Sequence, residues 1–306
     1  MAARAPSMPA ALGERLTLTT WNLGYAGLGA DSDFITDGGK HRFPPSRRSV
    51  RRNLAEIVRT LGSLPSDLYL LQEVSDFSPL SWWVPMRAEL ERALGGKWLE
   101  FRQDVGTTGT PPPLRIVHGK MTAAAARPLV TEVLPLPTPA QKRWRFRQFG
   151  IVVTRFAAAD SLSHWVIGNL HLSAFDEGGR LRQEQLDAVL AFARREYESG
   201  NRVVLGGDWN MVLSDPHYPT RTDEKYLFWI VDFPHHKLPE GWSMAFHDGV
   251  PTVRTLHQRY VPGDNYVTTI DGFLLSPNVA LERVATTDTQ FGPSDHMPVT
   301  AVVRGV

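Results

Sequence analysis

Asp208 and Asn210 stand two residues apart, directly after the apolar run Val203-Val204-Leu205-Gly206-Gly207. If the chain stays extended there, residues i and i+2 face the same way, aiming a carboxylate and an amide at one point with Trp209 on the opposite face. A carboxylate can align or deprotonate a water, and an amide N–H can stabilise developing oxyanion charge. The competing structural reading is an Asx-turn that merely closes the strand. Five further polar groups sit in similar places, at or next to the ends of β-like runs: Thr20-Trp21-Asn22, Leu71-Gln72-Glu73, Asn169-Leu170-His171, Thr269-Ile270-Asp271 and Ser294-Asp295-His296. Acids, amides and imidazoles are poor strand formers and costly to bury without partners. Their repetition at strand ends predicts one shared polar pocket at one edge of a sheet.

The chemistry of such a pocket follows from its donors. Glu73 and Asn22 offer a carboxylate and a neutral amide oxygen, the hard ligands that Mg²⁺ takes while keeping several waters. Read singly, Glu73 could instead bond a neighbouring loop and Asn22 could be a turn residue. Asp295 and His296 are adjacent, so both reach a pocket only from a bend; Asp295 would approach a metal and His296 a phosphoryl group. Asp271 is the candidate to fix an imidazole in one tautomer and raise its basicity, and His171 supplies a second imidazole. The chain carries no G-x-S-x-G elbow, Walker loop, HExxH or dinucleotide-binding glycine run. What remains is metal-assisted attack of water on phosphorus. That reaction needs its barrier lowered by on the order of 20 kcal/mol, more than one side chain supplies.

The elements that must position these groups alternate between strands and a few helices. Residues 16–21 read as a strand, followed by a glycine-studded loop to Pro45. Ser46 caps a helix with Val50, Leu54, Ile57, Val58 and Leu61 on one face. Residues 67–74 read as a strand buried on both faces, then a helix spans about 81–94. Residues 97–156 hold several strands, 164–172 another, and a helix follows Gly178-Gly179 to about Gly200. Residues 202–205 form a strand, 214–265 long irregular loops, and 266–275 and 297–303 the closing strands. Many strands with about three long helices predict an α/β fold: two stacked sheets with helices outside, an α-β-β-α sandwich.

Bulk composition bounds the function. The 306 residues, 42% of them hydrophobic, suit one catalytic domain over 15–306 behind a flexible Ala/Pro-rich extension over 1–14. There is no cysteine, so thiolate chemistry, disulfides and thiolate–metal sites are excluded. No signal-peptide pattern and no apolar run of about 20 residues is present, which predicts a cytoplasmic protein without membrane insertion. Net charge is +1. The two basic clusters, Arg47-Arg48-Arg51-Arg52 and Lys142-Arg143-Arg145-Arg147, read as a solvated helix face and the wet face of a strand alternating with Trp144, Phe146 and Phe149. A nucleic-acid partner is therefore not favoured. The oligomeric state is not legible.

Taken together, these motifs resemble the endonuclease/exonuclease/phosphatase superfamily, with its DNase I-like fold, over essentially Leu16 to Val303. The resemblance implies Mg²⁺ (or Mn²⁺), with Asn22, Glu73 and Asp295 at the metal and His171 contacting phosphate. It also implies that Asp208 and Asn210 orient water and stabilise the transition state, with Asp271 the partner of His296. A finer resemblance joins the chain to a bacterial subgroup through Gly24-Tyr25-Ala26-Gly27-Leu28-Gly29, Asp37-Gly38-Gly39-Lys40, the run from His171 to Gly179 and Ile270-Asp271-Gly272-Phe273. It implies a phosphatase of small sugar phosphates. Gly119-Lys120-Met121-Thr122-Ala123 stands where many members carry a G-x-A-I-L-S strand, a departure from the family pattern on the substrate-facing surface. The leading expectation is a phosphoesterase of a small soluble phosphorylated substrate, with Lys40, His41 and Arg180 as substrate-phosphate contacts. The alternatives are a nuclease with Arg143, Arg145 and Arg147 lining a groove, a sphingomyelinase-like enzyme, and a non-catalytic scaffold.

Overall fold

The computed structural model describes residues 11–107, 110–111, 114–138, 147–159, 163–174, 176–214 and 217–306. In chain order the elements are β1 (Ala11–Leu12), β2 (Arg15–Asn22), α1 (Arg47–Ser63), β3 (Leu68–Phe77), α2 (Met86–Ala93), β4 (Trp98–Gly106), β5 (Val117–Ala124), β6 (Val130–Pro135) and β7 (Gly150–Ala158). Then come β8 (His164–His171), α3 (Arg180–Glu198), β9 (Arg202–Asp208), β10 (Ser243–Ala245), β11 (Val253–Arg254), β12 (Val267–Thr268), β13 (Asp271–Leu275), β14 (Val279–Thr286) and β15 (Val299–Gly305). One sheet runs β1-β7-β8-β9-β13-β10, with β6 also on β7; the other runs β14-β15-β2-β3-β5-β4.

The two sheets stack because their strands carry apolar residues on both faces. Leu16, Leu18, Leu70, Ile167, Val204 and Phe273 meet between them in one buried cluster. On the outer face of the first sheet, Leu186, Val189 and Phe192 of α3 pack on Val166, Val203 and Leu205. On the outer face of the second, Val50, Leu54 and Ile57 of α1 and Leu90 of α2 cover Tyr69, Leu71 and Met121. This is the expected α-β-β-α order. The α1 start is the expected one: Ser46 accepts from Ser49 N at 3.0 Å, and Ser49 Oγ accepts from Ser46 N at 3.1 Å. Its Arg47, Arg48, Arg51 and Arg52 are exposed.

Several elements depart from expectation. β14 was not legible, since Leu281-Glu282-Arg283 bulges and lies on an edge where one side faces solvent. The helix expected from about Ser81 begins only at Met86, after a 3₁₀ turn at Pro79–Ser81. Of the expected N-terminal extension, Ala11–Leu12 pair in parallel with β7, and Leu12 joins the inter-sheet core. Lys142, Arg143, Trp144, Arg145 and Phe146 lie outside the described residues. Among the described residues no helix is long and apolar enough to cross a membrane.

Polar ties cross the inter-sheet core just beneath the strand ends. Gln72 Nε2 donates to Asn169 Oδ1 at 2.8 Å, and Asn169 Nδ2 donates to the carbonyls of Met121 at 3.1 Å and Leu71 at 3.3 Å. Both side chains are fully buried. Their directional bonds fix the sheets' relative register, which interchangeable apolar contacts do not. Removing one partner strands the other without water. Asn169→Ala should therefore lower unfolding free energy by roughly 2–4 kcal/mol, read from urea melts. A loss under about 0.5 kcal/mol, the size typical of an exposed substitution, would show that these ties hold nothing.

Candidate active site

Sheet register brings the first three groups together. In the parallel β8–β9 pair His171 lies opposite Asp208, and in the antiparallel β9–β13 pair Asp208 lies opposite Asp271. Three neighbouring strands thus end side by side in an imidazole and two carboxylates. The other sheet contributes Asn22 at the end of β2, whose Nδ2 donates to Asp208 Oδ2 at 3.0 Å. That bond joins the two sheets at the site.

Glu73 reaches the cavity through a bulge. The β3–β5 register shifts between Leu71 and Val74, and Glu73 takes φ 52°, off the regular strand conformation. A bulge re-aims a side chain that strict alternation would fix to one face. Glu73 Oε1 lies 4.0 Å from His171 Nε2. Asp295 and His296 sit in the predicted bend, where Ser294 Oγ donates to Asn22 O at 2.8 Å and accepts from His296 N at 3.2 Å. Gly24 is required beside them: with φ +49°, a Cβ there would stand 2.6 Å from Asp295 Oδ1.

Asp208 and Asn210 are not extended. Asn210 N donates to Asp208 Oδ1 at 2.9 Å, Asn210 has φ 50°, and its Nδ2 donates to Leu172 O at 3.0 Å. The pair forms the Asx-turn, and both side chains still line the cavity. Trp209 faces away, fully buried, its Nε1 donating to Gly272 O at 3.1 Å. The turn is braced by Arg182, a fully buried side chain whose Nη1 donates to the carbonyls of Asn210 and Trp229, each at 2.6 Å.

One cavity of about 110 Å³ is lined by Asn22, Glu73, His171, Asp208, Asn210, Asp295 and His296. Asp271 stands behind it, with His296 Nδ1 donating to Asp271 Oδ2 at 2.9 Å. Burial opposes charging of His296, but Asp271, Asp208 and Asp295 outweigh it and hold the imidazole well above its usual range. Burial, then Arg147, holds His171 well below its usual range, so the two imidazoles differ in charge. Burial also raises Asp208 and pushes Asp271 up to about 6, each against the opposing charge of His296. Burial and then Asp295 push the Glu73 carboxyl up to about 8.

Two donor sets could hold a metal. Glu73, Asp295 and the Asn22 amide are hard oxygens on one cavity, and a divalent cation among them would relieve the repulsion that raises Glu73. The donor set fits that ion. Asp208, Asp271 and His296 also bring ligand atoms within 4.8 Å of one another. That second group already commits its imidazole Nδ1 to Asp271.

Lys40, His41 and Arg180 are not brought into this cavity. Lys40 is exposed, with its backbone N–H bound by Asp33; His41 is exposed and pairs with Asp33. The Arg180 side chain is 90% exposed and faces Glu184 at 3.6 Å. All three side chains stand in solvent-exposed turns, Arg180 in the first turn of α3 and Lys40 and His41 in the glycine loop, where water solvates their charge. Lys120 of the departing β5 segment is buried against Asp104 at 2.7 Å. Cavity groups that the strand-end pattern did not mark are Tyr25, Asp37, Arg147 and Arg254. Tyr25 and Asp37 fall inside the glycine-containing motifs. Arg147, read as a groove residue, has Nη2 3.5 Å from His171 Nε2. Arg254 carries no local sequence signal; its guanidinium donates to the carbonyls of Gly29 at 2.7 Å, Leu28 at 3.1 Å and Ser32 at 3.2 Å. It pins the glycine loop to the wall.

This fold and this ring of strand-end acids, amides and imidazoles define a phosphoesterase class, and the comparisons agree. The Endonuclease/Exonuclease/phosphatase family matches residues 19–296, and the chain belongs to that family of metal-dependent phosphoesterases. Similar solved structures include an endonuclease/exonuclease/phosphatase from Beutenbergia cavernae, at 18% identity and TM-score 0.58, covering 95% of this chain and 72% of that one. ANGEL2, a 2',3'-cyclic phosphatase, is similar at 16% identity and TM-score 0.61, covering 95% and 96%. TDP2 of D. rerio, complexed with a single strand DNA product, is similar at 15% identity and TM-score 0.59, covering 95% and 99%. No curated protein matches the sequence.

The His296–Asp271 pair makes a direct prediction. Asp271→Asn removes the carboxylate charge that favours the imidazolium, so the His296 pKa read by NMR titration should fall by at least one unit or so. An unchanged titration would show that Asp271 does not support His296.

Proposed function

We propose that this chain is a Mg²⁺- or Mn²⁺-dependent phosphoesterase of a small soluble phosphate ester, acting in the cytoplasm. The observation that carries it is the meeting of Asn22, Glu73, His171, Asp208, Asn210, Asp295 and His296 on one cavity. About 110 Å³ suits a phosphoryl group with little of the alcohol, leaving the remainder of a substrate outside.

Glu73, Asp295 and Asn22 would hold the cation. When bound, it supplies positive charge against the phosphoryl oxygens and neutralises its carboxylate ligands. Asp208 is the group that aligns the attacking water and takes its proton. Its oxygens are fixed for that role by the Asn22 amide at 3.0 Å and the Asn210 backbone N–H at 2.9 Å. Water oxygen bonds to phosphorus as the ester P–O bond breaks. His296, kept protonated by Asp271, stabilises phosphoryl oxygens or gives its Nε2 proton to the departing alcohol. Neutral His171 and the nearby Arg147 guanidinium add hydrogen bonds to non-bridging oxygens, and Asn210 keeps a second amide N–H for the same charge.

A nuclease is the second reading, favoured by Arg147 at the cavity and by the DNA product seen with the similar TDP2. The near-neutral net charge of +1 weighs against it. Phosphomonoesters, phosphodiesters, plasmid DNA and sphingomyelin, each with metal and with EDTA, separate the readings. We expect metal-dependent release of phosphate from small monoesters. Plasmid nicking that falls steeply with salt would favour the nuclease, and turnover indifferent to EDTA would reject both.

Asp208→Asn and His296→Ala should each reduce turnover roughly a hundredfold or more with an unchanged circular dichroism spectrum. Near-wild-type rates in either variant would remove that residue from the reaction. Glu73→Gln should raise the Mg²⁺ concentration needed for half-maximal rate. An unshifted metal titration would take Glu73 out of the ligand set.

A further inference from the structure

Tyr25 lines the reaction cavity, two residues after the end of β2, and the phosphoryl chemistry above leaves it unused. Its backbone is strained. Gly24, Tyr25 and Ala26 are all left-handed, with φ of 49°, 56° and 56°. Glycine takes that region freely, but tyrosine and alanine take it at a cost that persists only where the surroundings over-determine it. Gly24 N donates to Asn22 Oδ1 at 3.1 Å, Ala26 N to Leu23 O at 2.8 Å and Gly27 N to Gly24 O at 2.7 Å. Asn53 Nδ2 of α1 donates to Ala26 O at 3.0 Å. The Tyr25 ring is stacked on His118 of β5, with centroids 4.2 Å apart. Burial pushes His118 down to about 3, so its ring is neutral.

The phenol held by this turn lies beside the other strained residue of the site. Asn22 and Gln72 are partners in the parallel β2–β3 pair, and Leu23 N donates to Gln72 O at 3.0 Å, so the turn begins alongside Glu73. Glu73 has φ 52° and lines the same cavity. Burial raises the phenol well above its usual range, and Glu73 adds to the shift as a nearby charge and as acceptor of the phenol's hydrogen bond. The group therefore stays an O–H donor. Asp104 acts on it by charge only, and its own carboxylate is engaged by Lys120 at 2.7 Å.

We propose that Tyr25 is a positioning residue for the metal site, its O–H holding one Glu73 oxygen so that the remaining lone pairs face the cation. This inference rests on the reading of Glu73 as a metal ligand. A carboxylate has about four lone-pair sites, so one O–H donor leaves most of them for the metal. A lysine or arginine could fix the same oxygen, but its charge would repel the cation; a phenol orients the ligand without that repulsion. Hydrogen-bond partners behind ligating groups are worth roughly 10–100-fold in metal affinity or activity. On this account the strained turn is retained because it presents the phenol to Glu73.

The test reads Mn²⁺ binding directly, by electron paramagnetic resonance of the full chain without substrate, in a double-mutant cycle. Tyr25→Phe keeps the ring and its stack on His118 and removes only the O–H. It should weaken Mn²⁺ binding roughly tenfold with an unchanged thermal melt. Glu73→Asp withdraws the carboxylate from the phenol by one methylene, so adding Tyr25→Phe to it should change the affinity by less than about twofold. Unchanged affinity in Tyr25→Phe, or an equal loss in both backgrounds, would overturn the inference and leave Glu73 a ligand. Equal Mn²⁺ binding by wild type and Glu73→Asp, or none by wild type, would instead remove Glu73 from the metal site, and this inference with it.

Discussion

Carboxylate burial is the constraint on which the rest of this structure turns. Glu73, Asp208, Asp271 and Asp295 gather within one poorly hydrated region, and each makes ionisation of its neighbours more costly. A fold could lower that cost by spreading the acids apart. Here sheet register forbids it: Asp208 and Asp271 are direct cross-strand partners, and β2 and β3 end against them from the second sheet. The compensation is positive charge placed with equal care. His296 stands 2.9 Å from Asp271 and 3.7 Å from Asp208, while the Arg147 and Arg254 charges act on Glu73 and Asp295 respectively. The Asp295 charge still raises Glu73 beyond the effect of burial, and a divalent cation between them would relieve that repulsion.

That arrangement explains why the polar ties between sheets lie where they do. An apolar interface tolerates small slips, because one methyl contact replaces another. A site assembled from both sheets does not tolerate them, since a slip would part Asn22 from Asp208. Gln72 and Asn169 sit one layer below the site and bond across the same interface, and Trp21 Nε1 donates to His296 O at 2.9 Å to anchor the final bend. Polar groups in this core therefore secure position, and the apolar clusters supply most of the burial energy.

Much of this was legible in the sequence because strand ends are simple to mark. Apolar runs closing in Asn22, His171 and Asp208 needed only the rule that such residues avoid strand interiors without cause. The layer order followed from strands buried on both faces with few helices. What stayed hidden depended on local irregularity or distant partners. Glu73 points into the cavity through a bulge that its sequence does not announce. Asp208 and Asn210 converge through a turn with positive φ, where an extended strand had been the simpler expectation. Arg254 is a core arginine whose Nη2 bonds carbonyls more than two hundred residues earlier, and no local pattern reveals those partners. Lys40, His41 and Arg180, expected as substrate-phosphate contacts, are exposed and do not line this cavity, since nothing in spacing reports which side of a loop faces water.

Anomalous diffraction from a crystal of this chain grown with Mn²⁺ bears most directly on the central claim. One strong peak within coordination distance of both the Glu73 and Asp295 carboxylates is the result this account requires. Density only against Asp208, Asp271 and His296, or no ordered manganese in the cavity, would contradict it.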